Sequence, residues 1–209
     1  MPNPNRSDIT ILLDRSGSMA SVKSDVEGGF ARFLADQRAV PGDCDLSLVQ
    51  FDSQSIEAVF TERPIRESPE LELQPRGMTP LLDAVGQTIV RTGERLAAKP
   101  ERERPGRVLF VILTDGKENA SREYSKTRIR EMVQHQTLAY RWQFLYLGAN
   151  VDAFAEAGGL GIDSQFAASF NATPDGMKRC MEVASFKAAE FRGGRELAFS
   201  EGERQELKR

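Results

Sequence analysis

Apolar runs and amphipathic stretches alternate along the chain, and each predicts an element. Ile9-Thr10-Ile11-Leu12-Leu13 reads as a strand over about residues 8–13. Val22, Val26, Phe30, Phe33 and Leu34 follow at helical spacing, so a helix runs from about 19 to 37, with Gly28-Gly29 as its weak point. Asp45-Leu46-Ser47-Leu48-Val49-Gln50-Phe51 alternates polar and apolar, the mark of a strand with one buried face. Asp52-Ser53-Gln54-Ser55 turns it into a hairpin with Ile56–Phe60, which belongs at a sheet edge. Thr61–Gln74 is polar, carries two prolines and reads as loop with one extended piece. Leu81, Leu82, Val85, Ile89 and Leu96 mark the next helix, with Pro80 at its first position and Thr79 as its N-cap.

Val108–Leu113 is continuously apolar, as in a central strand buried on both faces. A helix over about 125–138 turns Ile129, Met132 and Val133 inward, and 142–147 forms another strand. Gly148-Ala149-Asn150 leads to a short helix over 152–157, and the last strand is 166–170. Thr173-Pro174-Asp175 caps a final helix, in which Met177, Met181, Ala184, Ala188 and Phe191 form the core stripe. Residues 192–209 are charged and weakly patterned, so they are expected to fray as a tail, with Leu197-Ala198-Phe199 docking locally. The order β-α-β-β-α-β-α-β-α-β-α predicts an α/β fold. It is Rossmann-like and doubly wound, with about six strands in a mostly parallel sheet, one antiparallel edge strand and helices on both faces.

Composition narrows the picture. The 209 residues suit one domain, here 1–191, followed by the tail. The net charge is −3 and the lysines and arginines are scattered, which argues against a nucleic-acid surface. Cys44 and Cys180 make neither a disulfide framework nor a zinc site. The start of the chain is polar, with no signal peptide and no apolar run long enough to span a membrane, so a cytoplasmic location is expected.

The candidate chemistry sits at strand ends, where open α/β sheets place their ligand crevice. Asp14-Arg15-Ser16-Gly17-Ser18 follows the first strand and offers three oxygen side chains at alternate positions. These are hard donors, suited to Mg²⁺ or Mn²⁺. Asp and Ser in a turn also bond nearby backbone amides, so capping alone is an equal reading of this segment taken by itself. Asp115 ends the central strand, and Thr79 lies in the loop before a helix.

Asp14-Arg15-Ser16-Gly17-Ser18-Met19, Gly77-Met78-Thr79-Pro80-Leu81 and Leu113-Thr114-Asp115-Gly116 resemble the three parts of a metal-ion-dependent adhesion site (MIDAS). That site belongs to von Willebrand factor type A domains, and the resemblance covers about residues 7–170. It implies that Ser16 and Ser18 bind the metal through their hydroxyls and that Thr79 binds directly or through water. Asp14 and Asp115 would hold metal-bound waters or bind directly. The implied cofactor is Mg²⁺, with Mn²⁺ and Ca²⁺ as alternatives. The implied partner is a protein presenting an Asp or Glu carboxylate to the open coordination position. Stand-alone bacterial and phage members of the family imply AAA-type ATPases, stress-response or phage proteins as partners.

Beside the motif, Arg15 is expected to be exposed. Lys117, Glu118 and Asn119 either read the partner or form a solvated loop. Asp83 either supports a metal-binding group or favours the helix N-terminus. His135, the one histidine, reads as surface or packing. The rival function is a Mg²⁺-dependent phosphoryl-transfer enzyme of phosphatase type. The chain lacks a second aspartate two residues after Asp14, a Walker loop and a Gly-x-Ser-x-Gly elbow, and no general acid or base can be named. A non-catalytic binding module is therefore the expectation.

Overall fold

The computed structural model describes residues 1–149 and 151–208. Asn150, read above as part of a turn, and Arg209, the last residue of the expected tail, lie outside the described residues. The elements in order are β1 (Asn3–Asp14), α1 (Lys23–Ala39), β2 (Asp43–Phe51), β3 (Ile56–Pro64), α2 (Leu81–Ala97) and β4 (Pro105–Thr114). They continue with α3 (Lys126–Tyr140), β5 (Gln143–Ala149), α4 (Ala153–Gly159), β6 (Ala167–Phe170), α5 (Pro174–Arg192) and α6 (Glu201–Leu207).

The strands form one sheet in the order β3-β2-β1-β4-β5-β6. Every neighbouring pair is parallel except β2–β3, the antiparallel edge hairpin. The doubly wound, mostly parallel fold expected from the pattern is thus the observed one. Alternation along the central strands sorts the core into two layers. Ile11, Leu13, Leu109, Val111 and Leu113 face α1 and α5, whereas Leu12, Phe110 and Ile112 face α2 and α3. Connections leave β1 toward β2 and leave β4 toward β5, so a crevice opens between the carboxyl ends of β1 and β4.

Three local expectations are corrected. β1 starts at Asn3 rather than near residue 8, because the Asn3 amide bonds Arg104 O and Arg6 pairs with Asp45 on β2. The first helix is entered through a 3₁₀ turn over Gly17–Val22, and α1 itself runs unbroken through Gly28-Gly29. Thr79 caps nothing: Pro80 holds the N-cap position of α2, with no side-chain cap bond. The extended piece expected within 61–74 is the end of β3, which reaches Pro64, while Leu71 and Leu73 are buried and the Leu73 amide bonds Glu27.

The expected frayed tail is ordered as well. Leu197, Phe199 and Leu207 are buried in the α1–α5 layer, and burying each such side chain is worth about 1.5–3 kcal/mol. Ser200 and Glu203 form a capping box at the start of α6. Lys187, itself buried, pairs with Glu190 and Glu203 and donates to Ala198 O, stapling α5 to the segment beyond it. Glu203 among these last residues is therefore held in an internal pair. No helix among the described residues is long and apolar enough to cross a membrane.

Candidate metal centre

Three loops meet over the crevice. Asp14 is the last residue of β1 and is fully buried. Its Oδ1 accepts the Ser16 amide at 2.7 Å and its Oδ2 accepts the Thr114 hydroxyl at 2.6 Å. Thr114 is the last residue of β4, and the β1–β4 register sets Leu13 beside Leu113, so the two strand ends bring Asp14 and Thr114 together. Ser16 is buried and Ser18 exposed, with their hydroxyl oxygens 3.1 Å apart. Ser18 Oγ donates to Asp115 Oδ1 at 2.7 Å.

The second loop lies against the first. The Arg76 amide bonds Arg15 O at 2.8 Å, and the Gly17 amide bonds Gly77 O at 3.1 Å. Gly77 has φ +68°, and a Cβ there would fall 2.5 Å from Ser53 Oγ, the same oxygen that accepts the Met78 amide. Glycine is the residue that fits this turn. Thr79 is buried, and Asn119 clamps it from the third loop: Asn119 Oδ1 accepts the Thr79 amide while the Asn119 amide bonds Thr79 O. A Cβ on Gly116 would sit 3.1 Å from Thr79 Oγ1 and 3.9 Å from Asp14 Oδ2. Glycine at 116 thus leaves open the space that these two oxygens border.

Asp14, Ser16, Ser18, Thr79 and Asp115 therefore sit in one place, linked through Ser18 to Asp115 and through the Gly116 gap from Thr79 to Asp14. Both carboxylates carry an electrostatic cost. Burial pushes Asp14 up to about 6 despite the bonds from Thr114 and Ser16, and the nearby Asp115 charge adds to the rise. Burial also raises Asp115, against the bond from Ser18. A buried pair of like charges with neutral donors around it is an environment that a divalent cation relieves. Among the described residues no group of three His, Cys, Asp or Glu side chains is placed to hold a metal ion, so hydroxyls have to complete any donor set here. The residues fit a hard cation on chemistry: two carboxylates and three hydroxyls, none of them soft.

The neighbours of the motif have other duties than the sequence suggested. Arg15 is buried, not exposed. It turns away from the donors and bonds Asp52, Gln50, Glu57 and Ser55 on the β2–β3 hairpin. Burial pushes Asp52 up, yet bonds from Gln54, Arg76, Arg15 and Ser55 outweigh it and hold its carboxyl below the usual range. Asp83 accepts the amides of Arg122, Glu123 and Tyr124, and Glu118 accepts those of Ala120, Ser121 and Leu82. These carboxylates shape the third loop and hold it on α2. Lys117 alone of the Lys117-Glu118-Asn119 trio is left pointing outward with no ion pair among the described residues. Thr114 joins the site beyond the five donors, and its position one residue before Asp115, at the end of an apolar strand, is the sequence signal for it.

No protein-family model and no curated protein matches the chain. Solved structures do. Proximal thread matrix protein 1 from the mussel byssus aligns with 88% of this chain and 48% of its own, at 14% identity and TM-score 0.62. A form of that protein solved with a zinc-occupied MIDAS motif aligns with 89% of this chain and 46% of its own, at 12% identity and TM-score 0.59. A von Willebrand factor type A structure from Catenulispora acidiphila aligns with 90% of this chain and 43% of its own, at 14% identity and TM-score 0.55. The fold is thus of the von Willebrand factor type A kind. The chain spans a little under half the length of each of these structures.

Proposed function

We propose that the chain is a metal-dependent protein-binding module. Asp14, Ser16, Ser18, Thr79 and Asp115 hold a divalent cation, and the cation takes an Asp or Glu carboxylate from a partner protein. The observation that supports this reading most is the meeting of five oxygen side chains from three loops at the carboxyl ends of β1 and β4, two of them destabilised carboxylates. The zinc-occupied MIDAS of a protein with this fold supports it too.

This chain's residues divide the work. Asp14 and Asp115 supply the negative charge, and the three hydroxyls add donor oxygens without adding charge. A cation so held keeps a net attraction for an external anion. Thr114 and the Ser16 amide orient Asp14. Asn119 fixes Thr79. Ser18 and Gly17 are exposed, so the first loop presents the site to solvent. The reading is of binding rather than catalysis, because no second aspartate stands two residues after Asp14 and the chain carries neither a Walker loop nor a Gly-x-Ser-x-Gly elbow.

The test is calorimetric titration of chelator-stripped protein with Mg²⁺, Mn²⁺, Ca²⁺ and Zn²⁺, with and without acetate as a carboxylate mimic. Saturable 1:1 binding is expected, lost in Ser16→Ala and Asp115→Ala, with circular dichroism unchanged. Binding of every ion unaltered in both variants would refute the assignment.

A further inference from the structure

A second feature lies at the opposite end of the sheet. Under the last turn of α5, beside the amino ends of β4 and β5, a cleft of roughly 390 Å³ is lined by Arg107, Arg141 and Arg195 together with a single acidic residue, Glu196. Its apolar wall is Phe166, Phe191 and Leu197. The three arginines come from three separate elements. Arg107 belongs to β4, Arg141 ends α3, and Arg195 follows α5. In a chain of net charge −3, this is a concentration of positive charge that the overall composition hides.

Arg141 carries an independent mark. It closes α3 in the left-handed region, at φ 58° and ψ 28°. Glycine or asparagine takes that position at less cost. The chain accepts the strain for a long cationic side chain that is exposed and makes no ion pair among the described residues. Arg107 is half-buried, bonds Pro4 O and lies over Gly194, where a Cβ would fall 3.0 Å from its Nη2. Gly194 has φ +76°, so the turn after α5 both needs glycine and lets the guanidinium approach. Among the described residues the Arg195 side chain has one ion-pair partner, Glu190 at 4.0 Å, and it is largely exposed.

We propose that this cleft binds a small organic phosphate. Guanidinium groups are planar, permanently charged and matched to phosphate oxygens through paired N–H donors. Three of them against Glu196, and against Glu190 beside Arg195, leave a net charge of +1, which is complementary to a phosphate monoester carrying nearly two negative charges at neutral pH. The volume lies in the range of small-molecule sites and exceeds what a bare phosphate would fill. Phe166, Phe191 and Leu197 provide a surface for the ester's apolar or planar part. The cleft is separated from the adhesion-type site by the length of β4, roughly 30 Å at the usual strand rise, so the two sites are independent.

The experiment titrates the full chain, in excess chelator so that the other site holds no metal. The probes are adenosine monophosphate, inorganic phosphate, and vesicles of phosphatidylcholine with or without phosphatidic acid. Saturable binding of the monophosphate is expected, tighter than that of inorganic phosphate. At least tenfold weakening is expected in Arg141→Gly and in Arg195→Gln. Arg141→Gly relieves the left-handed strain, so its melting temperature should hold or rise while binding is lost, which a merely structural role for Arg141 would not produce. Asp14→Ala should bind as the parent does. No saturable binding of the monophosphate, binding unchanged in both arginine variants, or binding confined to phosphatidic acid vesicles would overturn the proposal.

Discussion

Asp14 is buried with neutral donors, the Thr114 hydroxyl and the Ser16 amide, against its two oxygens. Its carboxyl is pushed up to about 6 by burial, from an ordinary value of 3.8. Between those two values the folded metal-free chain keeps a proton that the unfolded chain has released. Its stability therefore falls as pH rises through that window, by about 3 kcal/mol once pH 7 is reached. Urea denaturation in chelator should show this fall between pH 4 and 7, and Asp14→Asn should flatten it. Metal binding needs the ionised carboxylate, so affinity should drop below about pH 6; constant affinity from pH 5 to 7 would contradict the role given to Asp14. At this scale the sequence disclosed the donors, because oxygen side chains crowded at strand ends are visible as letters. It did not disclose which way a loop residue turns. Arg15 stands among the donors in the chain, yet its guanidinium is bound to the β2–β3 hairpin, and only the partner Asp52, far along the chain, decides that.

Elements depend on how closely they pack, and α1 against α5 shows it. Gly28 and Gly29 adjoin in α1, but a Cβ at Gly28 meets nothing within 4 Å, whereas one at Gly29 would fall 2.6 Å from Met181 Cγ. The first glycine weakens the helix and the second lets α5 approach. Gly28→Ala should raise stability by about 0.5–1 kcal/mol. Gly29→Ala should lower it by about 1–3 kcal/mol through overpacking. Thermal melts of the two variants, moving in opposite directions, check both. Helices and strands with strong periodicity were legible in the chain because the two-layer core enforces the pattern. Thr79 shows the limit: Thr-Pro before an apolar stripe is the usual letter pattern of a helix start, and here the threonine was drawn off to the loop carrying Asn119. Of residues 197–207 the local docking of Leu197-Ala198-Phe199 was legible, but the helix after it and the burial of Leu207 were not, for a related reason. Leu197, Phe199 and Leu207 follow no helical or strand period, and what orders them is Lys187 and the surface of α5.

For the molecule as a whole, the crevice between β1 and β4 follows from strand order, and strand order follows from alternating β and α segments. A cation bound there stabilises only the folded chain, since its donors come from loops that are far apart in sequence. At a hundredfold excess over its dissociation constant it adds about 2.7 kcal/mol. For a chain of this size that raises the melting temperature by about 5–10 °C. Calorimetric scans with Mg²⁺ and with chelator should differ by that amount in the parent and coincide in Ser16→Ala. The arrangement of the last residues has a different consequence. An open sheet has two rims, and each is a row of backbone groups on which a foreign strand could add. One rim is β3, broken by register shifts and by Glu62 in the left-handed region, with Glu57 and Glu62 along it. The other is β6, four residues long, and the chain returns to it: Phe199 N bonds Gln165 O, and Asn171 Nδ2 bonds Lys208 O. The closing segment is thus tied down at both ends of a rim that is itself too short to template much strand addition by another copy.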